Sequence, residues 1–121
     1  MVDKNDNCIF CKIIRKEIKE NFVDESNSFI AIFDKFPTVK GHVLVISKKH
    51  YVTLLDLPDR IGEELLSFTK KICGKILEEK FGDGFNIAMN NLAPAGQVVM
   101  HAHLHIFPRK ENDGLKFFEK H

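Results

Sequence analysis

The stretch HAHLHIFPR, residues 101–109, alternates histidine with apolar residues and holds three of the six histidines in the chain. In an extended strand successive side chains face opposite sides, and same-side Cα atoms stand roughly 6.6–6.8 Å apart. The pattern therefore reads as a strand with His101, His103 and His105 in one row and Ala102, Leu104 and Ile106 packed on the other face. A solvated row is more readily built from Lys, Glu or Thr, and three imidazoles that protonate together repel one another. A shared site for an anion or a metal accounts for both features. Pro108 is expected to stop the strand.

Upstream, GFNIAMN leads into the loop NLAPAGQ, so a further strand is expected over 85–90. Residues 59–80, DRIGEELLSFTKKICGKILEEK, carry Ile61, Leu65, Phe68, Ile72 and Ile76 at helical steps, with acidic residues early and lysines late. This predicts one long helix, favoured by its dipole and ended by Gly82 and Gly84. NFVDES (21–26), SFIAIFD (28–34) and HVLVIS (42–47) are rich in β-branched and aromatic residues and are separated by turn formers, which predicts three consecutive antiparallel strands. CIFCKIIRKE places Ile9, Phe10, Ile13 and Ile14 at helical spacing, a short helix over about 9–16. The fold class expected is α+β: an antiparallel sheet of about five strands with one long and one short helix packed on it.

Composition limits the function. With 121 residues and 44% hydrophobic content, the chain is expected to form a single domain over 1–121 with its own core. Eighteen basic and seventeen acidic residues give a net charge of +1 with no long block of one sign, which argues against a nucleic-acid partner held by charge. No run approaches the roughly 18 apolar residues of a membrane span, and MVDKNDNCIF does not resemble a secretory leader. A cytoplasmic protein with no membrane partner is expected. Of three cysteines, Cys8 and Cys11 are spaced as a thiolate pair, half of a tetrahedral zinc site; the rival reading, a thioredoxin-type redox motif, wants a βαβ surround that is missing here. One zinc cannot take the whole histidine row, because its outer members lie roughly 13 Å apart at Cα. His50 and His101 are candidates for the remaining ligands, with His42 a rival for the third position. Cys73 lies in the long helix and needs no role beyond packing.

These residues resemble the histidine triad (HIT) superfamily of nucleotide hydrolases and transferases. HAHLHIF matches its His-x-His-x-His signature. CIFCKIIRKEI, FIAIFDKFPTVKGHVLVISKKH and GFNIAMNNLAPAGQVVMHAHLHIFPR look like the start, middle and end of the family domain, in order and over nearly the whole chain. The resemblance implies a HIT-like fold and a nucleotidyl-histidine mechanism at the α-phosphate of purine nucleotide conjugates such as nucleoside phosphoramidates. A dinucleoside polyphosphate hydrolase, or a nucleotide- and zinc-binding module without catalysis, are the alternatives. It implies His103 as nucleophile and His105 as partner of the phosphate or leaving group. It also implies Asn90, Gln97 and the backbone near Val98 as a phosphate cradle, with Gly96 leaving room for its approach, and Asp34 on the ribose hydroxyls. Ile9, Phe10, Ile13, Ile18 and Ile32 would form an apolar slot for the base, and His42 would support the triad from behind. In the zinc-containing branch, Cys8, Cys11, His50 and His101 form a structural site; no catalytic metal is expected. A homodimer is implied as well. Val98 stands where some relatives have serine, and the short C-terminal segment lacks tryptophan, so leaving-group and substrate preference are open.

Overall fold

The computed structural model describes residues 7–116; residues 1–6 and 117–121 lie outside it. Three strands follow a short helix, α1 (Ile9–Ile14): β1 (Phe22–Glu25), β2 (Phe29–Phe33) and β3 (Val43–Ser47). The long helix α2 (Gly62–Glu78) precedes β4 (Gly84–Ala88) and β5 (His103–Arg109). All pairings are antiparallel and the strand order is β1-β2-β3-β5-β4, so the histidine strand lies inside the sheet and β4 at its edge.

Period-two alternation divides the sheet between two cores. Phe29, Ala31, Val43, Val45 and Ile106 meet Phe68, Ile72, Cys73 and Ile76 of α2. Ile30, Ile32, Leu44 and Ile46 meet Cys8, Phe10, Cys11 and Ile13 on the α1 side. Because His103 pairs with Ile46 and His105 with Leu44, the register places both histidines on the α1 face. Ile72 is 1% exposed at the centre of the α2 interface. Ile72→Ala should therefore cost about 2–5 kcal/mol, read as a lower urea midpoint with an unchanged m-value.

Three of the expected boundaries shift for a local reason. Residues 59–61 form a tight 3₁₀ turn in which Ile61 N–H donates to Pro58 O, and the α-helix begins only at Gly62. The helix ends at Glu78, with Lys80 taking the left-handed turn at φ 62°, so neither glycine terminates it. Gly82 instead permits close approach to β5: a Cβ there would sit 2.8 Å from Arg109 N. Finally, Pro108 does not stop β5, which runs on to Arg109. The last β3–β5 pair is Val43–Ile106, so Pro108 has a neighbour only in β4, through Phe85, and its missing N–H faces no strand.

Candidate active site and metal centre

His101 sits just before β5, fully buried, and three different atoms of it are engaged. Its Nε2–H donates to Ser47 O at 2.6 Å, which fixes the tautomer and turns the Nδ1 lone pair toward the cysteines. Nδ1 lies 3.3 Å from Cys8 Sγ and 3.6 Å from Cys11 Sγ, and Cys11 Sγ is 3.2 Å from His50 Nδ1. The ligand atoms of Cys8, Cys11, His50 and His101 all fall within 4.8 Å of one another. With zinc–sulfur bonds of about 2.3 Å and zinc–nitrogen bonds of about 2.0–2.1 Å, a tetrahedral ion sets S···N edges of about 3.6 Å. The observed S···N separations match, and the donor set suits zinc. Burial pushes the His101 imidazole down to about 4, against the pull of its bond to Ser47, so the ring is neutral at pH 7 as a ligand must be. The open choice between His50 and His42 is resolved in space: His42 lies away from the thiols, against His105.

The third engaged atom of His101 is its backbone oxygen, which accepts the Nδ1–H of His103 at 2.7 Å. A carbonyl only accepts, so the proton is on Nδ1 and the Nε2 lone pair is left over. Burial lowers the pKa of His103 and keeps that lone pair unprotonated, with the His101 bond opposing. Phe10 presents a ring edge to both His101 and His103, at centroid distances of 5.7 and 5.0 Å. His105 stacks parallel on Phe107, and its Nδ1 is 3.0 Å from His42 Nε2. Burial, together with repulsion from His103 and His42 whenever those rings are charged, pushes His105 down to about 4. Burial also lowers His42, although Asp34 pulls the other way.

These shifts have a sign that stability measurements can read. An unfolded histidine titrates near 6.5, so between about pH 4 and 6.5 the unfolded chain binds more protons than the folded one at His105, and the lowered His42 acts in the same direction. Their contribution is complete above that window and is lost as pH falls through it. Urea unfolding from pH 7 to 4.5 should show this loss, and His105→Asn should flatten the slope by about 2–3 kcal/mol over the range.

The remaining candidate residues divide. Asp34 is a fifth exposed at its side chain, accepts Phe36 N–H on Oδ1 at 3.0 Å and has Oδ2 3.3 Å from His42 Nδ1. Asn90 Nδ2–H donates to Gly96 O, and Gly96 has φ +95°, with little room for a Cβ beside Asn90. Gln97 does not stand free as a phosphate donor. Its two N–H groups go to Val52 O (2.7 Å) and Val99 O (3.1 Å), and its Oε1 accepts Leu92 N–H (2.6 Å). The carboxamide is consumed in shaping the loop, and it supports Leu92 at φ 74°, ψ 161°, a conformation that strains any residue with a side chain. The Val98 side chain is 90% exposed. Of the residues expected to form an apolar slot, Phe10, Ile13 and Ile32 are buried, while Ile9 and Ile18 keep accessible surface. Sequence reading missed Ser47, Val52, Thr38 and Phe107. The first three act through backbone groups, which no residue type signals.

Fold and site together define a class: an antiparallel α+β domain whose inner strand β5 carries one buried and one half-buried histidine, both with lowered pKa, next to a Cys₂His₂ cluster. Residues 15–112 match the HIT domain family, and the chain belongs to it. Over 116 residues it is 46% identical to an uncharacterised HIT-like protein of Methanocaldococcus jannaschii, covering 93% of this chain and 88% of that one. It is 42% identical over 108 residues to the adenylylsulfatase HINT3 of Arabidopsis thaliana, covering 89% of this chain but only 55% of that protein. The structure superposes on a zinc-bound histidine triad protein of Mycobacterium smegmatis with a TM-score of 0.85 at 35% identity, covering 94% of this chain and 83% of that one. Among the described residues no helix is long and apolar enough to cross a membrane.

Proposed function

We propose that the protein is a nucleotidyl hydrolase or transferase acting at the α-phosphate of purine nucleotide conjugates, nucleoside phosphoramidates among them. The observation that carries this reading is the His103 Nδ1–H bond to His101 O, which leaves a neutral Nε2 lone pair in a buried site. Nε2 attacks phosphorus in line, the nucleotidyl–His103 bond forms, and the bond to the leaving group breaks with its electron pair. The leaving group departs hydrogen-bonded to the His105 N–H and takes up a proton from solvent. Water then attacks phosphorus, loses a proton to solvent and breaks the nucleotidyl–His103 bond, releasing the mononucleotide, so the protein ends unchanged. Asn90 and backbone N–H groups near Val98 would carry the charge that grows on the phosphoryl oxygens. Asp34, an acceptor-only carboxylate, suits a vicinal ribose diol, and Ile9 and Ile18 supply apolar surface for the base.

Cys8, Cys11, His50 and His101 would hold zinc. Bound there, the ion links α1, the segment after β3 and the start of β5, and contributes folding energy. The assembly we infer is a homodimer joined at the β4 edge, where Phe85 and Ile87 are 38% and 44% exposed; sedimentation at twice the chain mass tests it.

The activity itself is tested by incubating the protein with adenosine phosphoramidates and dinucleoside polyphosphates and following mononucleotide release. Release from the phosphoramidates is expected. Nucleotide binding with no turnover across the panel would mean a binding module.

A further inference from the structure

The Nδ1 atom of His42 has two incompatible neighbours at the same distance. The backbone N–H of Thr38 points at it from 3.3 Å and needs a lone pair there. The Oδ2 atom of Asp34, also at 3.3 Å, favours a proton there. One nitrogen cannot satisfy both, and His42 is buried, so water does not resolve the conflict. The other nitrogen, Nε2, is 3.0 Å from His105 Nδ1, which passes the choice to the next ring.

The two arrangements contain the same number of protons, one on each neutral ring. In the first, His42 Nδ1–H faces Asp34, His42 Nε2 accepts from His105 Nδ1–H, and His105 turns a lone pair into the site. In the second, His42 Nδ1 accepts from Thr38, His42 Nε2–H donates to His105 Nδ1, and His105 turns an Nε2–H into the site. Only the second arrangement offers a hydrogen-bond donor to a phosphate oxygen or leaving group. It also makes His105 the opposite tautomer of its neighbour His103, whose proton is held on Nδ1 by His101 O.

We propose that His42 is a tautomeric relay between Asp34 and His105. When ribose hydroxyls engage the Asp34 carboxylate, its hold on His42 Nδ1 weakens, the Thr38 N–H prevails, and His105 becomes an Nε2–H donor. Thr38 is a positioning residue acting through its backbone, and sugar recognition gates the group that serves the leaving group. This rests on the reading that places ribose at Asp34 and phosphate beside His103 and His105.

Long-range ¹H–¹⁵N spectra of the histidine rings test it on the labelled full-length chain, alone and saturated with adenosine 5′-monophosphate or its 2′,3′-dideoxy analogue. The monophosphate is expected to move His105 to the Nε2–H form, while the dideoxy analogue leaves it as in the free protein. Thr38→Pro, which removes the N–H, should hold His105 as Nδ1–H with the monophosphate bound and lower kcat about tenfold with KM within about twofold. Thr38→Ala, which keeps the N–H, should behave as wild type. Binding of both nucleotides with one unchanged His105 tautomer throughout overturns the relay and leaves the nucleotide reading standing. Binding of neither overturns that reading, and the relay with it. If Thr38→Pro does not fold, the comparison of the two nucleotides decides alone.

Discussion

His103→Ala is expected to lower kcat by on the order of 10⁴-fold or more while nucleotide affinity changes little, because in the proposed mechanism the residue supplies the attacking atom. The geometry behind this number is specific. The Nδ1–H of His103 is committed to His101 O at 2.7 Å, so Nε2 is the unprotonated atom at pH 7. A glutamine at 103 can mimic one hydrogen bond but offers no nucleophilic nitrogen, so His103→Gln should be as inactive as His103→Ala. His105 is replaceable by comparison: it hydrogen-bonds rather than attacks, and His105→Asn should lose about 10²–10⁴-fold. Steady-state kinetics on one phosphoramidate, with binding of the product mononucleotide measured separately, checks the order. Equal losses at the two positions would contradict the division of labour.

Removing the zinc ligands should produce the largest effect on stability. Cys8 caps α1 and Cys11 lies within it, His50 follows β3 and His101 precedes β5, so a single ion would close contacts between segments up to 93 residues apart. Cys11→Ser should release the metal and lower the unfolding free energy by at least about 3 kcal/mol, with a fall in Tm of roughly 10 °C or more. The residue that would hold the metal also orients the proposed nucleophile, because the His101 side chain faces the thiols and its backbone oxygen accepts the His103 Nδ1–H. Metal loss should therefore reach kcat as well as stability, and readdition of zinc to chelated wild type should restore both. Metal analysis after purification without chelator checks the premise; wild type with free thiols and no zinc, melting as Cys11→Ser does, would contradict it.

Much of this was legible in the chain before its fold was considered. The alternation in HAHLHIFPR predicts His101, His103 and His105 in one row of a strand; the structure puts His103 and His105 on the α1 side through pairing with Ile46 and Leu44, while His101 lies ahead of β5, outside the ladder. The steps of α2 and the apolar runs of β2 and β3 were equally direct, since burial on a fixed period leaves a fixed pattern. Pro108 misled because its cost depends on whether a strand lies beside it, and register is a tertiary property. Gln97 misled for a related reason: a carboxamide suits a phosphate and a loop backbone alike, and only the positions of Val52, Leu92 and Val99 decide between them. The choice of His50 over His42 at the thiolates was open in the sequence because both follow or precede β3 closely. Backbone partners, the Ser47 and His101 oxygens and the Thr38 N–H, leave no trace in residue identity, yet they set the tautomers on which the chemistry depends.

The central claim is covalent attack by His103. It is tested most directly by mixing the protein with a nucleoside phosphoramidate labelled at the α-phosphorus, quenching within the first turnover and mapping the label by peptide mass. The account predicts one nucleotidyl group on the peptide carrying His103, none in His103→Ala, and its disappearance as the mononucleotide forms. Turnover with no labelled protein at any time, or label retained in His103→Ala, would contradict it.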